Sequence, residues 1–387
     1  MSRAANPDRR PTPRTELVVW LALVVALVGL LQTGTPPRIL VLSLMVVAVT
    51  LALSLRWRIG PAVVVVLLLV GLALRAVPST GFSDVLTVTE AAMREALAGG
   101  NPYGHGFEES FPPGAPFAYG PLALLWYLPA LDDPGMLELL AAGIVLVLLT
   151  LRGRPLGLAV YAVTPAFVVA AGDGSNDTTA GLLILVTLVV AVRAPLAGAV
   201  LLAAAVAFKP YALAWLPGLL AYGGLVTPLI GFVVASALLW LPTIVAYGPR
   251  EMLWSYREAD ALHGPAYYSL AFALDAPEAL PRPFWNGLRV AVGVALAIGN
   301  LLFVRSSASL VIGGTLVFGA TLFLGWWGSF AYLAAVAPVL CWHLDDWLGL
   351  ARYRVVWPGD PVRRVTTWAD MRWPVRSDVI EMTTGGR

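Results

Sequence analysis

The 387 residues contain one lysine, Lys209, beside 24 arginines, and charged residues of all kinds make up only 12% of the chain. Soluble domains carry about 25% charge and about 45–50% apolar residues. With 59% hydrophobic residues, this chain falls outside that class and reads as an integral membrane protein. The lone cysteine, Cys341, can close no internal disulfide, and three histidines without metal-ligand spacing offer no metal centre. Neither a GxGxxG pattern nor a P-loop is present, which argues against a nucleotide-sugar donor and a nucleotide-driven transporter. No basic domain is available for nucleic acid, so no nucleic-acid partner is expected.

What the chain has in abundance is apolar sequence. Runs of spanning or near-spanning length lie at 16–32, 38–55, 60–77, 136–151, 156–171, 178–192, 195–208, 210–224, 226–247, 286–304, 308–324 and 329–347. The expected fold is an all-α integral membrane protein of about twelve transmembrane helices. Residues 1–347 form one polytopic domain, and 348–387 form a basic, tryptophan-bearing tail lying on the anionic cytoplasmic leaflet. Several runs fall short of the ~20 residues a straight span requires, so one or two can be re-entrant. The first run lacks a small-x-small cleavage site and is read as a retained span.

Basic residues mark the cytoplasmic side of a membrane protein. With the N-terminus inside, cytoplasmic segments collect Arg3, Arg9, Arg10, Arg14, Arg56, Arg58, Arg152, Arg154, Arg193, Arg305 and the tail arginines from Arg352 to Arg387. That is 17 of the 25 basic residues. Both termini are then cytoplasmic in a multi-pass cell-membrane protein, and the loops 78–135 and 248–285 lie on the outer face.

Those loops hold most of the polar residues. In "GFSDVLTVTEAAMREALAGGNPYGHG" (81–106), Thr87-x-x-Glu90 predicts a capping box and Gly99-Gly100 a stop, so a short amphipathic helix is expected to rest on the membrane surface. Asp84 precedes it. A hydrated carboxylate there can take a proton from a bound hydroxyl, or it can simply cap the helix, as Asp commonly does. "FPPGAPFAYGPLALLWYLPAL" (111–131) then enters the membrane as a segment too short to span, which predicts a juxtamembrane or re-entrant helix walled by aromatics.

In order, these features resemble the first outer loop of the C-type, polyprenyl-phosphate-sugar-dependent glycosyltransferases, with the mannosyltransferase-like glycosyltransferase family 87 as the nearest pattern. The resemblance continues in "GDGSNDTTAGLL" (172–183), "FKPYALAWLP" (208–217) and "HGPAYYSLAFAL" (263–274), and so covers about residues 80–275. Tyr119-Gly120-Pro121 lacks the family's second proline, and Asp173-Gly174-Ser175-Asn176 lacks its glutamine. The resemblance implies a glycosyltransferase with juxtamembrane helices in the first long outer loop. Its donor is a polyprenyl-phosphate sugar, mannose at family level, and its acceptor a glycolipid or glycan. The enzyme would invert the anomeric centre with Asp84 as general base; no cofactor is expected, and with no Asp-x-Asp carboxylate beside Asp84 no metal is predicted.

Lys209 then has an expected task. Pro210 disfavours helix at Lys209 and places the ammonium at a turn on the outer face, where it can hold the donor phosphate or snorkel to lipid headgroups. Arg257 and His263, from the late loop, can complete that phosphate site; His263 serves equally well as an idle loop residue. Tyr103, Tyr119, Asn176 and Tyr256 are expected to line the substrate, the tyrosines competing with an interfacial-belt role. The rival reading is a multi-pass transporter or flippase of a lipid-linked or small polar substrate, against which stands the lack of an internal repeat. A non-catalytic partner subunit is the third reading.

Overall fold

The computed structural model describes residues 36–56, 59–77, 83–266, 268–274, 280–350 and 355. The first apolar run (16–32), Tyr267 and the tail beyond Val355 lie outside these residues. The helices are α1 (Pro37–Arg56), α2 (Pro61–Arg75), α3 (Val85–Leu97), α4 (Pro121–Tyr127), α5 (Gly135–Arg152), α6 (Pro155–Val163), α7 (Pro165–Val169), α8 (Asp177–Ala191), α9 (Pro195–Phe208), α10 (Leu216–Gly223), α11 (Val226–Tyr247), α12 (Pro249–Leu262), α13 (Leu270–Ala273), α14 (Arg282–Phe303), α15 (Ser307–Phe323) and α16 (Ala331–Trp347). The only strands among the described residues are β1 (Gly106–Phe107) and β2 (Ala115–Pro116), which pair antiparallel within the first long loop. Proline opens many of the helices, because the first helical position has no intrahelical use for the missing N–H.

Every expected run after the first falls on helix. Four helical stretches, Pro37–Leu55, Gly135–Arg152, Val226–Tyr247 and Arg282–Phe303, are both long and apolar enough to cross a membrane. α11 and α14 are the least buried of these and lie at the periphery of the bundle. The centre is built from shorter helices: α8, of 15 residues, packs against α5, α9 and α16. Apolar residues cover α8 all round, as expected of a helix enclosed by others.

Two expected runs differ from simple spans. The run 156–171 breaks into α6 and α7 at Thr164-Pro165, because proline supplies no N–H and pushes the residue before it out of the helical region; Thr164 is extended at φ −68°, ψ 119°. The carbonyls freed there are taken up by the buried Arg75, whose guanidinium donates to Tyr161 O (2.8 Å) and Ala162 O (3.1 Å). The run 210–224 begins as a 3-10 turn, Pro210–Trp215, before continuing as α10.

Antiparallel alternation sorts the helix ends onto two faces. On one, Arg152 and Arg154 pair with Asp346 at 2.9 and 2.5 Å, and the Val355 N–H donates to Gly153 O. Arg193 and Arg305, at the far ends of α8 and α14, belong to the same end of the bundle. The opposite face carries α3, the 98–120 loop, the 170–176 turn and Lys209.

The expected capping box at Thr87 and Glu90 does not form. Helix α3 starts two residues earlier, because Ser83 N–H donates to Asp173 O (2.8 Å) and Leu86 N–H to Gly174 O (2.9 Å), which seats the chain before it coils. Glu90 instead pairs with Arg94 one turn on (2.9 Å), and Arg94 reaches Asp132 (2.7 Å). The apolar side of α3 does not face lipid as expected: Leu86, Val88, Ala92 and Met93 pack with Tyr103, Phe107, Phe117 and Tyr127, so protein covers it. The stop at Gly99 is present, with φ +84°.

Candidate functional site

The site starts from two close backbone approaches that only glycine permits. Gly174 has φ +88°, and a Cβ there would lie 2.2 Å from Ser83 O. A Cβ on Gly120 would lie 2.1 Å from Ala207 O. The first approach docks the Asp84 segment on the 172–176 turn. The second lays the 117–120 segment across the end of α9, beside Lys209.

Asp84 occupies the position before α3, yet its side chain caps nothing. Its Oδ2 accepts the Phe111 N–H at 2.9 Å. That N–H is presented by a loop which Ser110 ties together, donating to Phe107 O and Pro112 O and accepting from Ala115 N–H (2.8 Å). The carboxylate therefore belongs to the loop wall, with Oδ1 uncommitted among the described residues.

Lys209 ends α9 in extended conformation, as the following proline requires. Only 6% of it is exposed. Its Nζ donates to Asn176 Oδ1 (2.6 Å) and to Asp177 Oδ1 (2.8 Å), and the Tyr211 hydroxyl donates to the same Asp177 oxygen (2.6 Å). The rings of Tyr119, Tyr211 and Tyr332 stand 5.5, 5.1 and 5.7 Å from Nζ, within cation–π range. Two of the three ammonium donors are thus committed to a carboxylate and an amide. The amide orientation follows from chemistry: lysine has no acceptor, so Asn176 must turn its oxygen to it, which leaves the fully buried Nδ2 without a partner among the described residues.

The N-terminus of α8 is held from behind by Glu138, buried in α5. Its Oε2 accepts the Thr179 N–H (3.0 Å), while Oε1 accepts from the Tyr127 hydroxyl (2.5 Å) and the Thr179 hydroxyl. A carboxylate against the first turn satisfies an orphan N–H and complements the helix dipole. In front of the same turn, buried Asp173 accepts the Ser175 N–H (2.8 Å). Burial pushes its carboxyl up to about 6, against the Ser175 hydrogen bonds and Lys209, which pull it down.

Tyr119 joins the two halves. Burial raises its phenol well above the ordinary range, and the Tyr332 hydroxyl and the Asp177 and Asp84 carboxylates push the same way, with a further contribution from Tyr256. Asp84, Tyr119, Asn176, Lys209 and Tyr256, named from the sequence, therefore share one neighbourhood. Tyr256 contributes a buried hydroxyl with no partner among the described residues.

Of the other three named residues, Tyr103 backs the site, and His263 and Arg257 stand apart. Tyr103 is buried as packing, with its ring against Phe117 and Tyr247 and its hydroxyl donating to Tyr119 O (3.1 Å). His263 is bonded to Ala259 O (2.5 Å), and its ring packs tilted against Trp327 (centroids 4.2 Å, 51°), whose indole donates to the Tyr332 hydroxyl (3.3 Å), so it reaches the site through two intermediaries. Arg257 is exposed and forms no ion pair among the described residues.

Asp177, Glu138, Asp173, Tyr211 and Tyr332 are the residues that the motifs left out. Asp177 had a signal: a single lysine amid apolar sequence needs a counter-charge, and Asp177 adjoins the Asn176 already named. Glu138 had none, since its partner lies 41 residues away in sequence. Compared with family models, curated proteins and solved structures, the chain gives no match.

Proposed function

We propose that this chain transfers a hexose from a polyprenyl-phosphate donor to a glycolipid or glycan acceptor on the outer face of the membrane, with inversion; the resemblance to the mannosyltransferase-like family makes mannose the donor sugar. The observation that carries this reading is Asp84, a carboxylate released from helix capping and within electrostatic reach of Tyr119, whose ring stands 5.5 Å from the Lys209 ammonium. Charge opposite charge across one aromatic wall suits a reaction in which a hydroxyl loses a proton while a phosphate leaves.

In this mechanism the acceptor hydroxyl oxygen attacks the anomeric carbon, its proton passes to Asp84 Oδ1, and the anomeric carbon–oxygen bond breaks with its electron pair leaving on the polyprenyl phosphate. The Phe111 N–H fixes the carboxylate by its other oxygen. Asn176 Nδ2 and the Tyr256 hydroxyl, both without partners among the described residues, supply donors for sugar or phosphate oxygens. The outer-face assignment follows from the arginines gathered at the opposite end of the bundle.

The test is transfer of labelled mannose from polyprenyl-phosphate mannose to extracted membrane glycolipids, wild type beside Asp84→Asn. A 10²–10⁴-fold loss in the variant is expected for a missing general base. Equal activity removes Asp84 from the chemistry, and no transfer from any donor sugar by the wild type hands the protein to the transporter or partner-subunit reading.

A further inference from the structure

Among the described cations on the site's face, Arg250 and Arg257 are exposed to solvent and form no ion pair, and the more enclosed ones are unequally free to meet a phosphate. Lys209 is neutralised by Asp177 and enclosed by three tyrosines. Arg94 is held by Glu90 and Asp132. Arg282 and Arg289 differ, because the two share one carboxylate. Arg282 Nη2 bonds Asp260 Oδ2 at 3.0 Å and Arg289 Nη2 bonds Asp260 Oδ1 at 3.1 Å, while Arg282 Nη1 donates to Ala261 O (3.0 Å). Among the described residues, one positive charge is left over.

The placement is systematic. Seven residues apart on α14, the two arginines lie on one face and roughly 10.5 Å apart along the axis, so both can converge on a single anion between them. They occupy the first two turns of a helix long and apolar enough to cross the membrane. Their side chains are 26% and 24% exposed and that of Asp260 is 42% exposed, so a ligand can reach all three. Arg289 and Asp260 also lie within electrostatic reach of Tyr332, whose ring is one of the three around Lys209.

Resting on the transferase reading above, we infer that Arg282 and Arg289 form the phosphate site for the lipid-linked donor, and that Asp260 is a resident carboxylate which the phosphate displaces. Guanidinium forks bind carboxylate and phosphate by the same paired N–H geometry, so the exchange needs little rearrangement of the arginines. The polyprenyl phosphate headgroup would then sit at the outer end of α14, with its sugar directed toward Tyr119 and Asp84. This displaces Arg257 and His263 from the role the sequence suggested.

The experiment is binding of a short-chain polyprenyl phosphate to the full-length protein in detergent, followed by tryptophan fluorescence, with the matching polyprenol and phosphatidylglycerol as comparison ligands. Wild type should bind the phosphate at least tenfold more tightly than the alcohol, and Arg282→Gln and Arg289→Gln should each weaken it about tenfold. Asp260→Asn should tighten binding several-fold. A purely structural clamp between α12 and α14 predicts the reverse for Asp260→Asn, and that result overturns the inference even if the arginine variants fold poorly. Phosphatidylglycerol competing on equal terms also overturns it, since the arginines would then be meeting bulk lipid. Binding by the wild type that both arginine variants retain overturns this inference alone; no binding of the phosphate by the wild type overturns the transferase reading with it.

Discussion

Replacing Asp177 by Asn strands the ammonium of Lys209 in a region where the two side chains are 8% and 3% exposed. At 2.8 Å, and at an effective dielectric of about 20, the pair attracts with about 6 kcal/mol, most of it offset by the desolvation of both charges. Removing one partner of such a pair costs about 3–5 kcal/mol because the other charge stays buried. Here the Asn176 oxygen and the three tyrosine faces remain around Nζ, so the lower end, about 3 kcal/mol, is expected for Asp177→Asn. Lys209→Met should lose a similar amount by leaving the Asp177 carboxylate with only the Tyr211 hydroxyl. The double variant Lys209→Met/Asp177→Leu should return to within about 1 kcal/mol of wild type, since a well-packed apolar pair replaces a buried ionic one with little net loss. Transferase activity should stay abolished in all three variants. The assay is unfolding in mixed micelles titrated with SDS, followed by tryptophan fluorescence, with mannose transfer measured in parallel. Additive losses in the double variant would refute the reasoning, because two groups in direct contact must couple.

Asp84→Asn should leave stability within about 0.5 kcal/mol of wild type in the same unfolding assay, since the side chain caps no helix and an amide oxygen can still accept the Phe111 N–H; a larger loss would return Asp84 to a structural role. Gly174→Ala combines a left-handed backbone with a Cβ 2.2 Å from Ser83 O, so it should cost at least about 2 kcal/mol and, by shifting the Asp84 segment, about 10²-fold in transfer rate. Asp173 makes the fold pH-sensitive. Its carboxyl is held up to about 6 when folded, so between the unfolded value near 4 and that point the folded state binds more protons. Stability should therefore fall by about 3 kcal/mol in all as pH rises from about 4 through 6, and Asp173→Asn should flatten that slope in melting curves.

How much of this was legible in the sequence depends on the range over which each feature is decided. Helix α9 and the extended Lys209 were readable because Pro195 and Pro210 act on their immediate neighbours. The capping box at Thr87 and Glu90 was misleading for the opposite reason: the start of α3 is set by backbone bonds to Asp173 and Gly174, about 90 residues on, and local capping chemistry yields to them. Asp84 was found for its position and carboxylate, but its freedom from the capping role depends on Phe111, 27 residues away. The same distance effect hid Asp260 as the partner of Arg282 and Arg289, although the seven-residue spacing of the arginines was open to view.

Charge scarcity is what makes the remaining pairings decisive. In a chain with one lysine, the ammonium cannot be treated as a solvated surface group once 94% of it is enclosed, and whatever sits beside it must supply a negative charge. That requirement selects the N-terminus of α8. A helix N-terminus accommodates an acidic side chain and exposes donors, so Asp177 and the buried Glu138 can both be held there, Asp177 paired with Lys209 and Glu138 hydrogen-bonded to Thr179 and Tyr127. The site is therefore built around a helix end rather than a motif. Lys209 and Asn176 can be named residue by residue, but only the packing of α9 on α8 brings the ammonium to its counter-charge, Asp177.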